Sequence, residues 1–166
     1  MKLKSILLFV TITFCFSNCQ KKQSKIDNIE FTFVSGLRIP YNTVNIAISK
    51  THDNKSAFAF IHSEPSSNNP KWAYSKIDTI VDIDIKSFEK LAEAAKTLEN
   101  INPDKAYIQG LDGSTWKIDF GSKGKNKSYK FWSPTSDTKK RGLSEFVNLS
   151  EQILENVKLN RKEVLD

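Results

Sequence analysis

The segment 43-TVNIAIS-49 decides the fold of this chain, because apolar side chains alternate through it with polar or small ones. Val44, Ile46 and Ile48 fall on one face of an extended strand, and the intervening residues fall on the other. The segment 56-SAFAFIH-62 alternates in the same way, and the residues between the two segments are typical of a turn. We therefore predict a β-hairpin here.

Strand-like patterns extend outward from this hairpin in both directions along the chain. The further predicted strands are Ile29 to Val34, Ile77 to Ile85, Ala106 to Gln109, Thr115 to Gly121 and Lys127 to Trp132. In one of them, Trp116, Ile118 and Phe120 share a face while charged residues occupy the other. This pattern predicts a sheet with one face in the core and one face in water.

Two segments carry the spacing of an amphipathic helix. The first, Lys86 to Leu98, has Ser87 as its candidate N-cap and an apolar stripe made of Phe88, Leu91, Ala92, Ala95 and Leu98. The second, Gly142 to Leu159, has a stripe made of Leu143, Phe146, Val147, Ser150, Ile153, Leu154 and Val157. Leu149 lies off the second stripe, so we expect it to be less buried than Phe146.

The order strands, helix, strands, helix is typical of an α+β fold. We predict an antiparallel sheet with two helices packed on one face, formed by residues 29–166 as a single domain. A finer hypothesis is a pair of strand-strand-strand-helix units, because Phe88 with Leu91 and Phe146 with Leu149 echo each other. The later apolar positions differ in spacing, so a duplication and an unrepeated arrangement both stay open.

Residues 1–18 have the organisation of a secretion signal peptide. Lys2 and Lys4 form a positive start, and the apolar run that follows is shorter than the ~20 residues that span a bilayer. The sequence Phe16-Ser17-Asn18-Cys19 resembles the lipobox of bacterial lipoproteins, in which the cysteine receives lipid and becomes the first mature residue. An ordinary cleaved signal and an uncleaved anchor are the alternatives.

This resemblance implies that Cys19 carries acyl chains such as palmitate and that residues 19–28 form a flexible tether to the membrane. With its many Lys, Asn, Ile and Phe residues, the chain is similar to small lipoproteins of Bacteroidota. Acidic residues just after the cysteine accompany surface display in such lipoproteins, whereas Gln20-Lys21-Lys22-Gln23 is basic. We therefore expect a lipid-anchored protein of the cell envelope, at the outer membrane and facing the periplasm.

The basic character of the chain belongs mainly to its start. The sequence holds 25 basic and 19 acidic residues, but five of the basic ones and none of the acidic ones precede Ile26. The remaining domain is nearly neutral, which does not favour nucleic acid as a partner. Both cysteines, Cys15 and Cys19, lie in the signal region, so the domain itself has no thiol nucleophile and no disulfide.

The two histidines are weak candidates for catalysis or metal binding. His52 stands beside Asp53, which could orient an imidazole, but an exposed turn is the simpler interpretation. His62 ends a predicted strand without the spacing of a metal site. The G-x-x-G between Gly121 and Gly124 joins two predicted strands, whereas phosphate loops lead into a helix. We predict no metal ion and no cofactor.

Asp78, Asp82 and Asp84 occupy alternating positions of one predicted strand, so their side chains project from one face. Such a row could serve hydrolysis or Ca²⁺ binding. Charged residues also commonly fill a solvated strand face, and we favour that interpretation. The sequence thus predicts a protein that is not an enzyme and has no catalytic residues, with a carboxylate-dependent hydrolase as an alternative.

Aromatic and basic residues beside loops are the stronger lead to function. Two aromatic residues follow a Pro-rich loop, and Trp132 points away from the strand face that carries Phe131. Aromatic side chains at loops build recognition surfaces or close the ends of a core, and basic stretches meet acidic partners or are simply solvated. The predicted binding surface comprises Trp72, Tyr74, Trp132, Lys139, Lys140 and Arg141.

These features predict a lipid-anchored envelope protein whose small domain binds another protein or peptide without catalysis. The membrane, reached through lipid on Cys19, is its first expected partner. An inhibitor or immunity-type protein directed against a toxin or hydrolase is an alternative, because small anchored domains without catalytic groups suit that task.

Overall fold

Six antiparallel strands form a single sheet in the described structure. The computed structural model describes residues 25–35, 41–65, 76–122 and 124–165 of the chain. The strands are β1 (Asn28–Ser35), β2 (Tyr41–Lys50), β3 (Ala57–Pro65), β4 (Ile77–Ile83), β5 (Ser114–Ser122) and β6 (Lys125–Trp132). Their order in the sheet is β4-β3-β2-β1-β5-β6. The chain thus builds β1 to β4 outward from the middle of the sheet, then returns to add β5 and β6 on the other side of β1.

The strand register places apolar residues from every strand on one face of the sheet. Phe31 lies opposite Ile46 on one side and Ile118 on the other, and Ile46 lies opposite Ile61. Each of these side chains is at most 1% exposed. The alternation seen in the sequence therefore becomes one continuous apolar surface, which must be covered to exclude water.

Two long helices supply that cover, α1 (Ile85–Thr97) and α4 (Ser144–Asn156). Their apolar stripes join the sheet residues in one buried cluster, and the ring of Phe146 meets the ring of Phe131 edge-on at 4.9 Å. The short helices are α2 (Pro103–Ala106), α3 (Thr138–Arg141) and α5 (Arg161–Val164), and a 3₁₀ turn spans Leu98–Asn100. This architecture confirms the predicted α+β class. None of the helices in the described ranges has the length and apolarity that a membrane crossing requires.

The expectation for Leu149 was wrong. Its side chain is fully buried, as is that of Phe146. The reason is that α4 contacts α1 and α5 in addition to lying over the sheet, so its covered arc is wider than the stripe facing the strands. All seven residues of the predicted stripe are buried as well.

The predicted strand from Ala106 to Gln109 is also absent. Ala106 ends α2, which begins with Pro103 and is capped by the side chain of Asn102, and residues 107–113 have no regular structure. Four strands therefore precede α1 and two precede α4 in the described chain, so its two halves are not equal strand-strand-strand-helix units.

The sheet begins earlier than the predicted tether boundary. Ile26 is buried, and the backbone of Asp27 bonds to Gly121 on one side and to Lys50 on the other. The Asp27 carboxylate accepts a hydrogen bond from Ser122 and forms an ion pair with Lys25. The last residues of the predicted tether are thus fixed to the sheet at the start of β1.

The second face of the sheet carries no helix within the described structure, and we call it the open face. On β1, β2 and β5 its polar side chains bond to each other, as Asn45 does to Glu30 at 2.7 Å and Lys117 to Asp119 at 2.6 Å. On β3 and β4 it also has an apolar part, because Phe60 and Ile80 lie opposite each other there and are exposed between polar residues such as His62 and Asp82. The open face therefore combines paired polar side chains with an exposed apolar group.

Candidate functional site

Part of the predicted site lies outside the described residues. Cys19 and the predicted signal peptide fall in residues 1–24, and Trp72 and Tyr74 fall in residues 66–75. The remaining candidates, Trp132 and the basic residues 139–141, can be placed in the structure.

Trp132 ends β6 opposite Thr115, on the other face from the buried Phe131, as predicted. Its indole ring lies directly against the loop between α2 and β5. A Cβ atom added to Gly110 would stand 2.3 Å from carbon atoms of this ring, and one added to Gly113 would stand 2.8 Å from it. Only glycine fits at these two positions, so the loop and Trp132 are packed as one unit.

A cleft of about 400 Å³ opens beside this unit at the corner of the sheet. It lies between residues 107–110 and the adjoining ends of β5 and β6. The cleft is lined by Tyr107, Ile108, Gln109, Gly110, Thr115, Lys130, Phe131, Trp132 and Arg141. We call it the Trp132 cleft. Its volume lies within the usual range for sites that hold small molecules.

Arg141 holds the turn beside the cleft together. It ends α3, and only 4% of its surface is exposed. Its guanidinium donates four hydrogen bonds to backbone carbonyls, which belong to Ala106, Trp132, Ser133 and Ser136, at distances between 2.7 and 3.0 Å. A guanidinium has five N–H groups. The fifth, on Nη2, has no acceptor among the described residues.

The charge of Arg141 is not balanced by a contacting carboxylate. No acidic group of the described chain forms an ion pair with it. Burial lowers the pKa of Arg141 below its ordinary value, and the charge of Asp137 opposes this effect. Arginine nevertheless stays charged in proteins. With Lys130 also on its lining, the cleft carries positive charge.

The structure separates the predicted basic residues. Lys139 and Lys140 are exposed on α3 and do not line the Trp132 cleft. Arg141 is buried, so it is not part of a solvated loop. Its carbonyl acceptors lie at the end of β6, in the following turn and 35 residues away at Ala106, and no local pattern shows such a set.

Sequence reasoning missed Tyr107, Gln109 and Lys130 as neighbours of Trp132. Tyr107 is 69% exposed, and its hydroxyl donates to Gln109 at 2.9 Å. Because Ala106 to Gln109 was predicted to be a strand, Tyr107 was not recognised as an exposed loop residue. Pro103 with the nearby Gly110 and Gly113 was the available signal for a loop.

Neither histidine belongs to a catalytic arrangement in the structure. His52 is exposed in the β2–β3 turn, where the carboxylate of Asp53 accepts hydrogen bonds from Thr51 and Lys55. The bond from Thr51 is the main reason that the pKa of Asp53 is lowered. His62 lies on the open face of β3, with its Nε2 atom 3.2 Å from Glu64. His52 thus lies in an exposed turn, and His62 is paired with Glu64 on the open face.

The predicted row of three aspartates is reduced to two. Asp78 and Asp82 lie on β4, opposite His62 and Phe58. Asp84 has left the strand and caps α1 by accepting a hydrogen bond from the backbone of Ser87 at 3.1 Å, so Ser87 is not the cap. Within the described ranges, no group of three potential ligands is placed to hold a metal ion.

The G-x-x-G segment is a hairpin turn. Gly121 is in β5, Gly124 has a φ of 76° between the strands, and β6 starts at Lys125. A Cβ atom on Gly121 would collide with the carbonyl of Lys125. The two glycines therefore serve the close turn between β5 and β6, as the sequence predicted.

No protein-family model matches this chain, and no curated protein sequence is significantly similar to it. The functional argument consequently depends on the chemistry of the Trp132 cleft and of the open face.

Proposed function

We propose that this protein is a lipid-anchored component of the cell envelope whose domain binds a protein or peptide partner through the Trp132 cleft, without catalysis. The observation that carries the proposal is the combination, in one cleft, of a half-buried Trp132 and a buried Arg141 that contacts no carboxylate among the described residues. Tryptophan and arginine dominate binding energy at protein interfaces because they combine large apolar area with directed hydrogen bonds.

The charge of the cleft indicates the chemistry of the bound group. Arg141 and Lys130 favour a carboxylate, either an acidic side chain or a peptide C-terminus. The indole of Trp132 and the exposed ring of Tyr107 provide area for an apolar neighbour of that carboxylate. A partner segment that presents an acidic group next to an apolar one fits both parts of the cleft.

The position of the cleft suits an anchored protein. The tether joins the sheet where Asp27 bonds to Gly121, whereas the cleft lies at Thr115, at the other end of β5. Six residue steps along β5 separate these points, about 20 Å of extended strand. If Cys19 carries a lipid, the cleft therefore lies at the end of the sheet that is distal to the tether.

The anchoring part of the proposal is tested by fractionation. Wild-type protein is expected in the detergent-soluble membrane fraction, and Cys19→Ser is expected to remain unprocessed or to be released. Equal amounts of both proteins in the soluble fraction would show that Cys19 carries no anchor.

The binding part is tested by comparing two charge reversals on exposed lysines. Lys130→Glu places a negative charge at the cleft, while Lys139→Glu makes the same change outside it. Chemical cross-linking in intact cells should give a discrete adduct with wild-type protein and with Lys139→Glu, and a much weaker one with Lys130→Glu. If both variants lose the adduct equally, or neither does, the cleft is not the binding site.

The absence of catalysis is tested on the carboxylates that motivated the hydrolase alternative. The purified protein is screened against ester, peptide, glycoside and phosphodiester substrates. We expect no turnover in the wild type. Turnover that disappears when Asp78, Asp82 and Asp84 are all replaced by Asn would refute the proposal and favour a hydrolase.

A further inference from the structure

Strand β4 forms one edge of the sheet, since its described neighbour is β3 alone. An edge strand presents unpaired backbone N–H and C=O groups, which can pair with another extended chain. On the open face β4 displays Asp78, Ile80 and Asp82 at alternate positions, and all three are exposed. An apolar residue thus lies at the centre of this edge with a carboxylate on each side.

The apolar residue belongs to a larger exposed patch. Ile80 is 64% exposed, and its neighbours on β3, Phe60 and Phe58, are 41% and 38% exposed. Phe60 lies directly opposite Ile80, and Phe58 lies opposite Asp82. Contiguous exposed apolar groups of this kind mark interaction sites in soluble domains. We call Phe58, Phe60 and Ile80 the β3–β4 patch.

The opposite edge of the sheet is protected in the usual way. Strand β6 carries Lys125, Lys127 and Lys130, all exposed. Lysines along an edge strand discourage pairing because a second chain would have to bury or displace their charges. The two edges therefore differ in the sign of the charges that they display, which are lysines on β6 and aspartates on β4.

A second copy of β4 is a poor occupant of this edge. Antiparallel pairing centred on Ile80 would set Asp78 opposite Asp82 of the other copy, and would do so twice. Like charges directly opposite each other on neighbouring strands are destabilising. Asp78 and Asp82 lie two positions on either side of Ile80. A chain with a positive charge opposite each aspartate therefore fits this edge in either strand direction.

We propose that β4 binds an extended segment of a partner protein by strand addition, and that this segment carries the pattern Lys/Arg-x-apolar-x-Lys/Arg. Its backbone extends the sheet beyond β4. Its central apolar residue lies beside Ile80 and extends the β3–β4 patch. Its two basic residues lie beside Asp78 and Asp82, two positions away on either side. This interaction goes beyond the proposed function, because it uses neither the Trp132 cleft nor the lipid.

The test uses full-length protein in detergent and a fluorescent peptide containing Lys-Thr-Ile-Thr-Lys, with Glu-Thr-Ile-Thr-Glu as the charge-reversed control. Saturable binding is expected for the first peptide and at least tenfold weaker binding for the second. The variant Asp78→Asn/Asp82→Asn should bind the basic peptide about 2- to 10-fold more weakly and with less dependence on salt. A matched variant on exposed acids elsewhere, Asp104→Asn/Asp112→Asn, should bind as the wild type does.

Pairing of the peptide backbone with β4 can be tested separately from the charge pattern. Alternate amides of an added strand face its neighbour, so N-methylation of one alternate set should abolish binding while methylation of the other set should leave it nearly unchanged. Equal effects of the two sets would exclude strand addition.

Three further results would overturn the inference. They are the absence of saturable binding, equal affinity for both peptides, and self-association of the protein that disappears in Ile80→Lys, which would assign the edge to a second copy. Lys130→Glu separates this interaction from the cleft, since it should leave peptide affinity unchanged whether or not the cleft binds a partner.

Discussion

The two faces of the sheet use the same strands for different purposes. On the covered face, Phe31 and Ile46 are fully buried beneath α1 and α4, and their contribution is stability. On the open face, alternate residues of the same strands either bond to each other or, at Phe60 and Ile80, remain exposed. The difference teaches that alternation produces two faces, but the elements packed above each face decide whether its residues support folding or contact other molecules.

The largest effect should come from the covered face. Phe146→Ala and Leu149→Ala each remove fully buried side chains from α4 and should lower the free energy of unfolding by about 2–5 kcal/mol. Asn148→Ala, on the exposed side of the same helix, should change it by less than about 0.5 kcal/mol. Urea unfolding measures all three. A loss at Leu149 as small as that at Asn148 would contradict the burial of this residue.

The next effect belongs to the corner where the sheet meets the Trp132 cleft. Arg141→Met should lower the free energy of unfolding by about 1–3 kcal/mol, because buried carbonyl groups lose their donors. Arg141→Lys should recover only part of the loss, since an ammonium cannot reproduce the directed fork of a guanidinium. Hydrogen exchange should be faster in residues 132–136 of both variants. Full recovery by lysine would mean that the charge alone stabilises the turn.

A smaller, pH-dependent effect is expected where the tether meets the sheet. The hydrogen bond from Ser122 is the main reason that the pKa of Asp27 lies below 3.8, with Lys25 adding to the effect and burial opposing it. A depressed folded-state pKa means that the charged form stabilises the fold above the unfolded pKa, and that this stability is lost as pH falls through the folded value. Asp27→Asn should therefore cost about 0.5–1.5 kcal/mol near neutral pH.

The measurement for Asp27 is unfolding by urea between pH 7 and pH 2. The difference between wild type and Asp27→Asn should shrink as pH falls below 3.8. Ser122→Ala should show the same trend, and the double variant should cost less than the sum of the two single ones. A difference that stays constant down to pH 2 would exclude the charge of Asp27 as its cause.

The smallest effect on stability is expected on the open face. Phe60→Thr removes a partly exposed ring from a strand and replaces it with a residue that favours strands, so the free energy of unfolding should change by less than about 1 kcal/mol. The same change should weaken binding of the basic peptide to β4. A loss of several kcal/mol would show that the β3–β4 patch belongs to the core and not to an interaction surface.

Patterns that depend on neighbouring residues were readable from the sequence. The hairpin of β2 and β3, the strands β1, β5 and β6, and all residues of both predicted helix stripes were correctly predicted. Alternation and helical spacing are local periodicities, and burial of one face follows from them. The opposite orientation of Trp132 and Phe131 followed in the same way.

Features that depend on distant partners were not readable. Leu149 is buried because α1 and α5 also contact α4, and Asp84 caps a helix where an unbroken strand had been predicted. Arg141 takes one of its acceptors from Ala106, far away in the sequence. The Trp132 cleft arises from a loop, two strands and a short helix that meet at one corner. No periodicity within a single one of these segments predicts that the loop, the strands and the helix lie together.

The sequence by itself determined the α+β class, the apolar face of each strand and the apolar stripe of each long helix. These properties follow from the repeat of side chains along strands and helices. The tertiary structure alone decided that one sheet face carries no helix in the described part of the chain, that β4 and β6 are the sheet edges there, and that Trp132 stands beside a buried arginine which contacts no carboxylate among the described residues. The physical reason is that solvation and charge balance depend on which groups approach in space, whereas a pattern in sequence specifies only the direction in which each side chain points.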